Sequence, residues 1–129
     1  MHECPEDLLY HPRHLWLRVD LEDNTALIGI TDEMQERLPE IDSIDLPQPG
    51  VDLEIDQPCF HLHLPSGIRH LKSPISGRVL EVNRDLLDTP ELLHLAPYEH
   101  WLVKVEIDEP EELHLTMDAE RYTKLIESF

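Results

Sequence analysis

Nine histidines and three lysines hold most of the nucleophilic, proton-transfer and metal-binding chemistry open to this chain of 129 residues. Three of the histidines are spaced to act together. His61 and His63 alternate within Phe60-His61-Leu62-His63-Leu64, and His70 follows a Pro65-Ser66-Gly67 turn signal. Residues two apart on a strand share a face, so a hairpin here brings His61, His63 and His70 onto one surface. Three converging imidazoles would suit a tetrahedral ion such as zinc, which makes these residues the candidate metal ligands. The plainer reading is that polar residues occupy the solvated face of a half-buried hairpin. Ligating histidines also need partners for their second ring nitrogen, which a sequence does not display.

The turn itself reads as type I over Leu64-Pro65-Ser66-Gly67: proline presets φ at the second position, serine tolerates the third and glycine suits the fourth. A two-residue loop of Pro65 and Ser66 sets Leu64 against Gly67 and His61 against His70. A slip of one residue pairs His63 with His70 instead. Either register leaves Leu62, Leu64, Arg69 and Leu71 on the other face, which is the side expected to be buried.

Elsewhere, eleven prolines against four glycines punctuate short leucine-rich and β-branched runs, which predicts many short strands. Helical patterns are confined to three places. Thr31 can cap a helix over Asp32 to Leu38 that Pro39 ends, Asn83 or Asp85 can start a short turn before Pro90, and Asp118 can cap Ala119 to Ser128. The acidic run 106–112 reads as a solvated strand end and helix start.

The ordered set of segments around these elements resembles the H protein of the glycine cleavage system. The segments are His14-Leu15-Trp16-Leu17-Arg18-Val19, Ala26-Leu27-Ile28-Gly29-Ile30-Thr31-Asp32, Leu46-Pro47 with Pro49-Gly50, and Ser73-Pro74-Ile75-Ser76-Gly77-Arg78-Val79. Val82-Asn83, Pro90-Glu91-Leu92, Pro97-Tyr98, Trp101-Leu102-Val103-Lys104-Val105 and Met117-Asp118-Ala119-Glu120-Arg121-Tyr122 continue it, so the likeness runs from Tyr10 to Tyr122. The resemblance implies a mostly-β barrel-sandwich hybrid of the lipoyl and biotinyl carrier type, with short peripheral helices and a C-terminal helix. Residues 10–129 would form a single domain behind an extension of residues 1–9.

That family carries a lipoyl group on a lysine at the apex of a hairpin. Counting back from Ser73-Pro74-Ile75-Ser76-Gly77, and forward from Gln57-Pro58, places the attachment position on Ser66. His63 stands where the family has a glutamate three residues earlier, and Gly77 keeps the glycine eleven residues later. A serine has no amine to acylate, so no lipoyl cofactor is expected. Lys72, Lys104 and Lys124 are the other amines, and Lys72 lies six positions past the apex, where its stem would reach sideways from a strand.

The resemblance therefore implies a non-enzymatic relative of the carrier, an interaction module for glycine cleavage or lipoate-handling enzymes. Two other readings stay open: a metal-binding or sensing domain built on the hairpin histidines, and a genuine carrier modified elsewhere, as at Lys72. A formal charge of −18, from 10 basic and 28 acidic residues, argues against nucleic acid and anionic membrane as partners and favours neutral or basic proteins. Solubility alone accounts for such a charge, and steering onto a basic partner is the further expectation.

No apolar run approaches the ~20 residues of a membrane span, and Met1 to Asp7 has neither a basic nor an apolar signal region, so a cytoplasmic protein is expected. Cys4 and Cys59 lie far apart without CxxC spacing and read as packing residues. Glycine-rich phosphate loops, HExxH and GxSxG contexts are all absent from the sequence.

Overall fold

A computed structural model describes residues 4–128. Nine strands follow in order: β1 (Leu9–His11), β2 (Leu15–Asp20), β3 (Thr25–Ile30), β4 (Ser43–Asp45), β5 (Asp52–Leu53), β6 (Pro58–Leu64), β7 (Gly67–Lys72), β8 (Gly77–Val82) and β9 (Val103–Ile107). They form a six-stranded sheet ordered β1-β2-β3-β9-β8-β5 and a three-stranded sheet ordered β4-β6-β7. Helices α1 (Asp32–Arg37), α2 (Arg84–Asp88), α3 (Leu92–Leu95) and α4 (Ala119–Glu127), with a 3-10 helix over Pro110–Leu115, lie around them. This is the mostly-β barrel-sandwich hybrid with a C-terminal helix that the sequence implied.

Alternation explains how the larger core fills. Val103, Val105 and Ile107 of β9 are buried while Glu106 between them is exposed, and Phe60, Leu62 and Leu71 enter the same cluster from the smaller sheet. Strand β2 breaks the alternation, since Leu15, Trp16 and Leu17 are all buried. Its second face is covered by α4, which closes a smaller cluster of Leu8, Tyr10, Trp16, Ala119 and Tyr122. Trp16 lies opposite Gly29, and a Cβ added at Gly29 would come 2.3 Å from the indole, so the glycine makes room for the ring. The indole N–H donates to the Pro97 carbonyl at 3.1 Å.

The three anticipated helix starts carry their caps: Thr31, Asn83 and Asp118 accept from the backbone N–H of Met34, Asp85 and Arg121. Helix α3 has no side-chain cap hydrogen bond and gave no signal of its own in the sequence.

Leu8 is buried at 2 % exposure, Leu9 opens β1, and the Tyr10 hydroxyl donates to the Pro5 carbonyl at 2.6 Å. No helix among the described residues is long and apolar enough to cross a membrane.

Candidate functional site

The hairpin of β6 and β7 takes the first of the two possible registers. Leu64 pairs with Gly67, His63 with Ile68, Leu62 with Arg69 and His61 with His70, so Pro65 and Ser66 are the two loop residues and both are exposed. Gly67 has φ +143°, a left-handed value that glycine reaches without strain, with open space where a Cβ would stand. The apolar face points inward as expected: Leu62 is fully buried and Leu71 nearly so.

The base of the hairpin is clamped by the turn that follows it. Ser73 donates its backbone N–H to Gln57 at 3.0 Å and its hydroxyl to the Ile75 carbonyl at 2.6 Å. Ser76 gives its backbone N–H and its hydroxyl to the two carboxylate oxygens of Glu112, at 2.7 and 2.9 Å. Glu112 belongs to the acidic run read from sequence as a solvated segment, so this partnership across 36 residues was missed. Gly77 then enters β8 against β9, where a Cβ would lie 2.4 Å from the Glu106 carbonyl oxygen.

None of the three lysines stands at the apex. Lys72 ends β7 opposite Pro58 at the base of the hairpin, and Lys104 is half-buried in β9 between Leu27 and Glu81. Lys124 is on α4, exposed and 3.4 Å from Glu120.

The three hairpin histidines share a face, yet they do not gather at one point. His61 and His70 meet, with their Nδ1 atoms 2.7 Å apart and rings in an edge-on arrangement. His63 turns instead to Asp45 on β4, Nε2 to Oδ2 at 2.6 Å, because β4 pairs with β6 and lays an acidic strand beside it. Among the described residues no group of three His, Cys, Asp or Glu side chains is placed to hold a metal ion, and the candidate ligands His61, His63 and His70 are divided between two separate contacts.

Neither cysteine forms a disulfide. Cys59 packs beside the larger core, and burial pushes its thiol up to about 12, with a Ser73 hydrogen bond opposing, so it stays protonated and unreactive at neutral pH.

A cleft of about 330 Å³ opens beside the hairpin, between β7 and the Pro12–His14 turn. That turn is held by His14, whose φ is +68° and whose Nδ1 lies 2.7 Å from the Tyr122 hydroxyl, and by Arg13, whose guanidinium meets Asp56 at 2.5 Å. The Arg13 hydrogen bond holds the exposed Asp56 carboxyl below its usual range. Sequence reading passed over this cleft because its walls come from three segments far apart in the chain, around Pro12–Leu15, Met34 and Arg69–Lys72.

The family model for the glycine cleavage H-protein matches residues 8–129. The chain is similar to the glycine cleavage system H protein of Brevibacillus brevis, 38 % identical over 125 residues that cover 96 % of this chain and 98 % of that protein. It is equally similar to the probable glycine cleavage system H protein of Thermococcus gammatolerans, 38 % identical over 128 residues, 98 % of this chain and 95 % of its relative. Its fold matches the crystal structure of a glycine cleavage system H protein from Mycobacterium marinum with a TM-score of 0.82, at 24 % identity over 95 % of this chain and 98 % of that one.

Proposed function

Because this chain belongs to the glycine cleavage H-protein family, we propose that it keeps the body of that carrier without its lipoyl arm, as a non-catalytic module that docks onto a glycine cleavage or lipoate-handling enzyme. One observation carries the reading: the exposed apex of the hairpin holds Pro65 and Ser66, and an acyl group needs an amine there. A hydroxyl on one carbon offers neither the amide linkage nor the reach of a lysine stem. His63, at the position of the family's glutamate, is occupied with Asp45.

The body that a partner would recognise is intact, since both sheets, the clamp under the hairpin and the closing helix are in place. An acidic surface suits a basic docking face, and the charge of −18 would speed encounter at low salt.

Intact mass of the protein purified from its native host tests the absence of an arm. The unmodified mass is expected, and an added lipoyl group, at Lys72 or anywhere else, overturns the reading. A lipoylated H protein and this chain should compete for the same enzyme surface. Failure to compete with any glycine cleavage or lipoate-handling enzyme removes the docking half of the proposal.

A further inference from the structure

Two imidazoles meet on the outer face of the hairpin. His61 and His70 are direct cross-strand partners, with their Nδ1 atoms 2.7 Å apart and their rings at 78° to each other. Leu64 and Gly67 flank the two-residue loop and exchange the first hydrogen bonds of the ladder, so His61 and His70, three steps on, fall at a non-hydrogen-bonded pair, where opposite Cα atoms come closest. Buried neighbours fix both backbones. Phe60 and Leu62 bracket His61 and are fully buried, and Leu71 follows His70 into the same core. His70 itself is exposed and His61 half-buried. Two ring nitrogens that share one proton at this distance point at the same small volume.

The separation selects the ion. With metal–nitrogen bonds of about 2.0–2.1 Å, nitrogens 2.7 Å apart subtend about 80–85° at the ion. A tetrahedral ion asks for about 109°, which would set the nitrogens roughly 3.3–3.4 Å apart. The narrower angle suits neighbouring positions of a square-planar or tetragonal shell, the preference of Cu(II) and Ni(II), and Cu(II) binds such ligands most tightly of the first-row divalent ions. Zinc is therefore the poorer fit to the two histidines that meet.

The surroundings favour a cation. Asp45 is the register partner of His61 on its other side, so Asp45, His61 and His70 form one row across the three-stranded sheet. The Asp45 carboxylate is held by His63 at 2.6 Å, which leaves it as a fixed charge near the pair rather than a third ligand. A hollow of about 500 Å³ on this side is lined by Asp45, Asp52, Glu54 and His61 and, among the described residues, by no lysine or arginine. Arg78 answers Asp52 at 3.3 Å from outside that lining. Of the cations on β7, Arg69 alternates onto the other face and the charge of Lys72 acts on Asp56. A net charge of −18 raises the concentration of cations around the whole surface.

We propose that His61 and His70 form a two-histidine chelate for Cu(II), bound through both Nδ1 atoms with water completing a tetragonal shell. The ion takes the place of the hydrogen bond between the rings. Its proton moves to the Nε2 of the ring that carried it, so both rings ligate as neutral imidazoles. The site uses neither Ser66 nor any amine, and it is independent of whether the chain docks onto an enzyme.

Titration of the full chain with copper(II) sulfate, followed by amide NMR and electron paramagnetic resonance, tests the site. Saturable paramagnetic broadening is expected around residues 61 and 70, with a tetragonal spectrum that shows nitrogen coupling. His61→Asn and His70→Asn should each weaken binding at the hairpin by about tenfold or more, since loss of even a supporting partner of a ligating histidine costs roughly 10–100-fold. Copper sites elsewhere on the chain persist in both variants and cancel from the difference. His70 is exposed, so His70→Asn should melt near the temperature of the parent, which separates a lost ligand from a lost fold. His63→Asn should keep the hairpin affinity, and zinc should bind there at least about tenfold more weakly than copper. Absence of saturable broadening at 61 and 70 overturns the proposal. So does undiminished affinity in either ligand variant, or a loss in His63→Asn as large as that in His61→Asn. Zinc binding as tightly as copper overturns the choice of ion.

Discussion

Gly77 faces the backbone of Glu106 so closely that a single added carbon would stand 2.4 Å from its carbonyl oxygen. This contact lies in the β8–β9 ladder, where Gly77 pairs with Ile107, and the obstructing atom is main chain rather than a side chain that can swing away. Gly77→Ala should therefore destabilise the fold by about 1–3 kcal/mol, the usual penalty of overpacking. Urea denaturation checks this, and an unchanged midpoint would show that β8 and β9 separate more easily than their packing implies. The family's glycine eleven residues past its lysine thus has a packing reason here, and its presence in this chain carries no information about lipoylation.

How far the site could be read from sequence follows from the distance over which each contact acts. The hairpin and the face its histidines share were legible because Pro65-Ser66-Gly67 and the alternation on either side are local signals, which left two registers open until the fold chose His61 opposite His70. The same holds for the caps Thr31, Asn83 and Asp118, each of which bonds an N–H two or three residues ahead. His63 meeting Asp45 was not legible, since it depends on β4 pairing with β6 across 18 residues. Nothing in a run of glutamates marks Glu112 as the one that will find Ser76, and nothing near Leu8 announces that it will be buried with Ala119 and Tyr122 of α4.

Glu112 holds both the backbone N–H and the hydroxyl of Ser76, and so ties the 3-10 helix to the turn beneath the hairpin. Removing the carboxylate in Glu112→Ala leaves a half-buried N–H without its acceptor, at a cost of about 1–3 kcal/mol. Hydrogen exchange at the Ser76 amide should quicken by at least as much as global stability falls. Glu112→Gln, which retains one acceptor oxygen, should recover part of the protection. Unaltered exchange in the alanine variant would mean that water replaces the carboxylate without loss.

Tyr122 joins three elements through one hydroxyl, 2.8 Å from the Thr31 Oγ1 and 2.7 Å from the His14 Nδ1, while its ring stacks on Tyr10 at 4.7 Å. Burial raises its phenol well above the ordinary tyrosine value, with the Thr31 hydrogen bond opposing, so it acts only as a neutral donor and acceptor. Tyr122→Phe keeps the stack and deletes the hydroxyl, with an expected loss of about 1–2 kcal/mol. Thermal unfolding measures that loss. A variant as stable as the parent would assign the docking of α4 to ring packing alone.

His11 supplies a pH dependence whose sign is fixed by its surroundings. Burial lowers its pKa from 6.5 to about 4, Arg13 adds to the effect and Asp56 opposes it. Its Nδ1 also accepts the Arg13 backbone N–H at 3.1 Å, which a ring protonated at that nitrogen cannot do. Above pH 6.5 both folded and unfolded chains hold the ring neutral, and no penalty arises. Between pH 6.5 and about 4 the unfolded chain takes up a proton that the folded chain refuses, so stability falls with acidity by on the order of 2–3 kcal/mol. Urea midpoints measured across this interval should decline for the parent and decline less for His11→Gln, which cannot titrate. Parallel declines would assign the acid limb to carboxylates instead.

Restoring the family's modification residues tests whether the apex or its neighbour opposes an arm. Ser66 is exposed and lies in the two-residue loop outside the paired strands, so Ser66→Lys should alter stability by less than about 0.5 kcal/mol. The glutamate position behaves differently. His63→Glu would exchange the 2.6 Å contact with Asp45 for two carboxylates diagonal to each other on adjacent strands. Like charges so placed cost below about 1 kcal/mol on an exposed face, and added salt should relieve the cost. Asp45→Asn in the same background should relieve it as well. With both changes made and Asp45 neutralised, a lipoyl ligase should modify the chain at residue 66 if the hairpin still presents its tip as the family does, and peptide mass mapping reads the outcome. A well-folded triple variant that stays unmodified would place the obstacle in the hairpin's shape rather than in its missing amine.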